Sequence, residues 1–239
     1  MPAHAYHSLE IINELEVAKR AELLEIQSND KKYRYSNQAY GLISLLVESV
    51  TKKKWGDWLT ERIFEPLNMK NSFSSPYEVW DSLYVAPTFL GTAPSKSISI
   101  KNNPRLNVAM PHGKYRNTYR KVLPWQSYDN LQPAGSIVSN VMDMANWIKF
   151  HLNEGKFEGQ QVISKNNLTE MHKPQIENVG YFLFADATEE VKLGRAKGVT
   201  SSKTYYGLGW NIGTFKGELH LSHGGGIFGF PAFISLLPE

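Results

Sequence analysis

Two short segments of the chain carry residue types that could do chemistry. The first is Tyr35-Ser36-Asn37, which stands just before a strongly apolar stretch. The second is His223-Gly224-Gly225-Gly226, which precedes Ile-Phe-Gly-Phe and a final apolar run. By residue type alone, Ser36 or Asn37 suits a helix N-cap, with Tyr35 packed beside it. Three glycines next to a histidine let a ligand or another backbone come close. The same glycines also suit a hairpin turn bearing a surface histidine. Both segments therefore have a structural and a chemical reading.

The elements that must position them follow from the pattern of apolar residues. Leu9, Ile12 and Leu15 predict an amphipathic helix from Ser8 to about Arg20. A polar loop spans Gln27 to Lys32. The Tyr35 segment opens a second helix with Tyr40, Ile43, Leu46, Val47 and Val50 on one face. A third carries Trp55, Trp58, Leu59 and Ile63, with Pro66 at its end. Residues 72–130 hold six prolines without a sustained period and read as loops or short strands. Ser139 is the expected cap of a helix bearing Val141, Met144, Ala145, Ile148 and Leu152, which Gly155 ends. A short helix from Ser164 to His172 stops before Pro174. Strands are expected at 180–184, 205–212, 218–222 and 230–237. Helices first and consecutive strands later imply α+β with an antiparallel sheet. The whole of 1–239 reads as a single domain, helical and loop-rich to 178 and strand-rich from 179.

Taken together and in order, these segments resemble the serine β-lactamase and penicillin-binding-protein superfamily, its class C branch above all. Tyr35-Ser-Asn-Gln-Ala-Tyr-Gly-Leu42 and Phe64-Glu-Pro-Leu-Asn-Met69 are similar to the family's Tyr-x-Asn helix and the helix after it. Pro133-Ala-Gly-Ser-Ile-Val-Ser139 with Asp143-Met-Ala-Asn-Trp147 is similar to another family stretch. Tyr206-Gly-Leu-Gly-Trp210, His223-Gly-Gly and Leu236-Leu-Pro238 are similar to its C-terminal strands. The resemblance implies serine acylation followed by hydrolysis or transfer of the acyl group, with no cofactor. It implies that Tyr35 shares a proton-shuttling role with the lysine of a Ser-x-x-Lys element. Asn37 would face the acyl-side amide of a small-molecule or peptide substrate. His223, Gly224 and Gly225 would take the place of the Lys-Thr-Gly triplet on the strand edging the site.

The Ser-x-x-Lys element belongs far upstream of Tyr-x-Asn, and only 34 residues precede Tyr35. Ser28-Asn-Asp-Lys31 lies in a polar loop, and Ser49-Val-Thr-Lys52 lies beyond Tyr35. Both read as chance matches, as does Lys203-Thr204-Tyr205 for Lys-Thr-Gly. The chain also stops directly after an apolar strand. The expectation is a fragment truncated at both ends and lacking its nucleophile. A non-catalytic binding or structural module of the same fold is the alternative, and an intact or substituted upstream serine separates the two.

Composition narrows the remaining classes. There are no cysteines, which excludes disulfides, thiolate metal sites and cysteine nucleophiles. A net charge of +3 is too weak to argue for nucleic acid. No apolar run approaches the roughly 20 residues of a membrane span. Met-Pro-Ala-His-Ala-Tyr-His has no signal-peptide features. Compartment and oligomeric state are left open. His-Gly-Gly-Gly also occurs as a lipase oxyanion motif, but there it precedes a Gly-x-Ser-x-Gly elbow, which this sequence lacks. His4 with His7, and His220 with His223, lack accompanying acidic residues, so no metal site is expected.

Overall fold

The computed structural model describes residues 32–83, 108–109, 111–115, 118–121, 128–178, 204–227 and 229–238. The helix expected over 8–20, the strand expected over 180–184, His4, His7, Ser28 and Lys203 lie outside the described residues.

Helix α1 runs Asn37–Thr51, and Ser36 is its N-cap, with Oγ accepting from the Ala39 N–H at 3.2 Å. The cap is as expected, but the buried face is not. The fully buried positions are Gly41 and Ser44, while Leu46 is 61% and Val50 73% exposed. The contact is made by small residues because α1 lies close against buried Leu131, which a Cβ on Gly41 would overlap. Helix α2, Trp55–Leu59, winds directly into a π turn at Thr60–Phe64, and Trp55 stacks on Trp58. Helix α3, Pro76–Leu83, replaces part of the expected loop region. Pro76 stands in its first turn, where the missing N–H costs nothing. Just before it, Ser75 Oγ accepts from the Tyr77 N–H at 3.1 Å. A hairpin of β1 (His112–Tyr115) and β2 (Thr118–Lys121) follows.

A 3₁₀ turn at Asp129–Leu131 leads into the short α4, Gln132–Gly135. Helix α5 spans Val141–Leu152. Its cap is Asn140, one residue beyond the expected Ser139; the Asn140 Oδ1 accepts from Met142 and Asp143 N–H at 2.9 and 3.0 Å. Ser139 instead bonds Ser72 Oγ at 2.8 Å. The buried stripe of α5 is Asp143, Phe150 and His151, while Val141 and Met142 are exposed. Asp143 is buried because it accepts from the Asn71 N–H and Ser72 Oγ, both at 2.8 Å, tying α5 to the loop after the π turn. Asn146 donates to Leu67 O at 3.0 Å from the next turn. Phe73 and Val138 form an isolated antiparallel bridge nearby.

Past α5, the left-handed residue is Glu154 (φ 52°), followed by Gly155 at φ 80°. A Cβ on Gly155 would sit 2.5 Å from the Ile163 carbonyl oxygen. Gly155→Ala therefore combines an unfavourable φ with a clash against backbone, and is expected to destabilise the fold by about 1–3 kcal/mol. A urea midpoint unchanged by this substitution would refute that account. Strands β3 (Lys156–Phe157) and β4 (Gln160–Gln161) pair through Glu158-Gly159, both at positive φ, as a tight hairpin requires. The short helix expected from Ser164 to His172 is α6, Lys165–Met171, and Ser164 is its cap.

The main sheet is a five-stranded antiparallel meander in the order β5 (Ile176–Glu177), β6 (Tyr205–Tyr206), β7 (Asn211–Phe215), β8 (Glu218–Ile227) and β9 (Phe230–Leu236). The strand expected over 205–212 is thus broken at Gly207–Trp210. Strand β8 runs straight through the three glycines, so they are extended strand and not a hairpin turn. Gly224, Gly225 and Gly226 pair with Phe233, Ala232 and Pro231 of β9. On the other side β7 pairs only as far as Ser222. Among the described residues, no strand pairs with that side of 223–227.

Two apolar clusters hold these layers. Leu59, Phe64, Leu67, Met69, Phe150, Phe157 and Leu168 form one between the helices. Trp210, Ile212, Leu221 and Leu236 form the other on the sheet. Met171, at the end of α6, packs against both. Each large side chain so buried contributes roughly 1.5–3 kcal/mol. No helix among the described residues is long and apolar enough to cross a membrane.

Candidate active site

The site is built where the start of α1 meets the sheet. The Ser36 cap fixes where α1 begins and so where Tyr35 leaves the extended segment before it. Pairing of β6 with β7 and of β7 with β8 places Tyr206 beside His223. The Tyr35 ring lies 6.1 Å from the His223 ring and 6.2 Å, edge-on, from that of Tyr206. Tyr206 Oη is 3.2 Å from His223 Nε2 and 3.0 Å from Tyr40 Oη. Tyr33 completes the aromatic group at 5.2 Å from Tyr206. A cavity of about 300 Å³ opens here, lined by Lys32, Arg34, Tyr35, Ser36, Tyr40 and Tyr206 among others.

The electrostatics of the group favour neutral rings. Burial pushes the Tyr206 phenol well above its ordinary value, reinforced by the hydrogen bond with Tyr40 and by the neighbouring phenols. Burial lowers the His223 pKa from its ordinary 6.5, opposed by a hydrogen bond with the Gly224 backbone. At neutral pH His223 is therefore uncharged.

The structure brings Tyr35 and His223 together from opposite ends of the sequence. Asn37 starts α1, half-buried, and its amide makes no hydrogen bond among the described residues. Gly224 and Gly225 lie exposed in β8, with open space where a Cβ on Gly225 would be. His220 and His223 do not converge: His220 Nε2 bonds Ser235 Oγ at 2.7 Å, away from Tyr206. Among the described residues no group of histidines and carboxylates is placed to hold a metal. Ser49 is at the far end of α1, where its Oγ donates to Leu46 O, and Lys52 Nζ donates to the Ser49 carbonyl and not to its hydroxyl. Serine and lysine are thus unpaired as nucleophile and base.

Tyr206 and Tyr40 were not singled out by the sequence as site residues. Their only signals are the aromatic of Tyr-Gly-Leu-Gly-Trp and a second tyrosine five residues after Tyr35.

The family model described as Beta-lactamase matches residues 17–239. The chain belongs to the β-lactamase family. A β-lactamase-type fold is also found in solved structures similar to it. A penicillin-binding protein homologue from Pyrococcus abyssi, described as octameric, superposes with a TM-score of 0.67 at 19% identity, over 98% of this chain and 43% of that one. A D-stereospecific amidohydrolase from Streptomyces sp. gives 0.60 at 19% identity, over 99% of this chain and 56% of the other. Among curated relatives, an unguisins hydrolase of Aspergillus campestris is 26% identical over 212 residues, 87% of this chain and 31% of that protein. The chain thus spans about a third of the length of the curated relatives it matches. Within the β-lactamase family the resemblance seen in the motifs extends to the α+β architecture, with helices packed beside an antiparallel sheet.

Proposed function

We propose that this chain is part of a β-lactamase-type serine hydrolase that acylates a serine with an ester or D-peptide substrate. The observation that carries the reading is the meeting of the Tyr35 and His223 rings, 6.1 Å apart, next to a cavity that Tyr35 and Tyr206 line. The upstream serine Oγ forms a bond to the acyl carbon as the C–O or C–N bond breaks. Its proton passes through Tyr35 and the partner lysine to the departing alcohol or amine. Water then cleaves the acyl-enzyme and restores the serine. Asn37 holds the acyl-side amide, and the strand at His223, Gly224 and Gly225 borders the substrate.

A neutral His223 offers less attraction to a carboxylate than the lysine of Lys-Thr-Gly, which favours esters and peptides over β-lactams. The unguisins hydrolase and the D-stereospecific amidohydrolase support a hydrolase in general terms. The same reading takes 1–239 as one domain and places the nucleophile outside this chain. Ser49 and Lys52 support that, being unpaired.

The 239-residue chain is then expected to show no turnover of a chromogenic cephalosporin or a p-nitrophenyl ester. Acylation specifically at Ser28 or Ser49, seen by mass spectrometry, would sink this reading.

A further inference from the structure

The hydrogen-bonded line from Tyr40 through Tyr206 to His223 has a direction. Tyr206 has one hydroxyl proton to place between two neighbours. A phenol is the better donor and a neutral imidazole nitrogen the better acceptor, so the favoured order is Tyr40 to Tyr206 to His223 Nε2. Burial keeps the Tyr206 phenol protonated. A neutral imidazole carries one N–H, so with Nε2 accepting from Tyr206 that N–H is on Nδ1.

We propose that Tyr206, oriented by Tyr40, is a positioning residue that holds His223 as the neutral Nδ1–H tautomer. Held at Nε2, the ring keeps one orientation beside Tyr35 and Tyr206 and presents no cation there. The inference rests on the functional reading only for its consequence: a site edge suited to uncharged acyl substrates.

The test is the tautomer of His223 in the 239-residue chain, read from long-range ¹H–¹⁵N correlations of the imidazole at neutral pH. Wild type is expected to show a protonated Nδ1 and a bare Nε2. Tyr206→Phe is expected to move the ratio toward Nε2–H by about fivefold, the ratio set by a net hydrogen bond of about 1 kcal/mol. Tyr40→Phe should move it the same way by less. A protonated Nε2 in wild type overturns the proposal, and so does a Tyr206→Phe spectrum identical to wild type. Should Tyr206→Phe fail to fold, the wild-type spectrum decides alone. A correct tautomer together with unimpaired turnover in His223→Ala of a longer, active form would defeat the functional reading and leave the positioning role standing.

Discussion

Replacing Tyr35 by phenylalanine, in a longer form that carries Ser-x-x-Lys upstream, is expected to slow serine acylation about 10²–10⁴-fold, the range typical of a positioned proton transfer. The change removes only the hydroxyl. The ring that meets Tyr206 edge-on and stands beside His223 remains, so the cavity wall keeps its shape. A phenol ordinarily titrates near 10 and needs neighbouring positive charge to act as a base near neutrality. In the proposed mechanism the lysine of the nucleophile element supplies that charge. The measurement is the rate of acyl-enzyme appearance by mass spectrometry with a p-nitrophenyl ester. A rate within a few-fold of wild type would exclude Tyr35 from proton transfer.

The second large effect concerns stability and acid. His151 is 2% exposed, edge-on to Trp147 at 4.5 Å and Trp210 at 5.0 Å, and its Nδ1 is 2.9 Å from His172 Nε2. Burial, with the adjacent His172, lowers its pKa from 6.5 to about 3. The unfolded chain takes up a proton as the pH falls through 6.5, whereas the folded chain refuses it until about 3. The folded state thus loses stability as the pH drops through that window, by about 1 kcal/mol per pH unit from this residue. Burial lowers the His172 pKa as well, and it acts in the same sense. Above pH 6.5 both rings are neutral in either state and the contribution is flat. His151→Phe keeps an aromatic ring among aromatics and removes the titration. Its urea midpoint should vary less steeply with pH than that of wild type between 6.5 and 4, by about one proton. Parallel slopes for the two proteins would rule out His151 as the acid-sensitive group.

The sequence displayed some of this and concealed the rest for identifiable reasons. Ser36 was legible as one of two candidate caps because a hydroxyl before an apolar helix suits that use, yet the same reasoning chose Ser139 where Asn140 caps α5. The buried side of α1 was not legible, because its buried positions are Gly41, set against Leu131, and Ser44, and apolar periodicity gives weight only to large residues. Helix α3 was concealed by Pro76, a residue that ends helices from within but opens them in the first turn. Strand β8 was concealed by its glycines, which suit turns as well as close approach. Tyr35 and His223 stood out through the family motifs. The line through Tyr40 and Tyr206 depends on strand register and on where α1 meets the sheet, and no local spacing encodes either.

Strand β8 is paired on both sides only as far as Ser222, and beyond that its backbone on one side meets no strand among the described residues. An unpaired strand edge is ordinarily where a foreign chain adds on and aggregation begins. Here that edge is written in glycine. Ordering glycine costs more backbone entropy than any other residue, and it gives an incoming strand no side chain to pack against. The three glycines thus leave that edge bare of side chains and pack weakly against any strand that would join it.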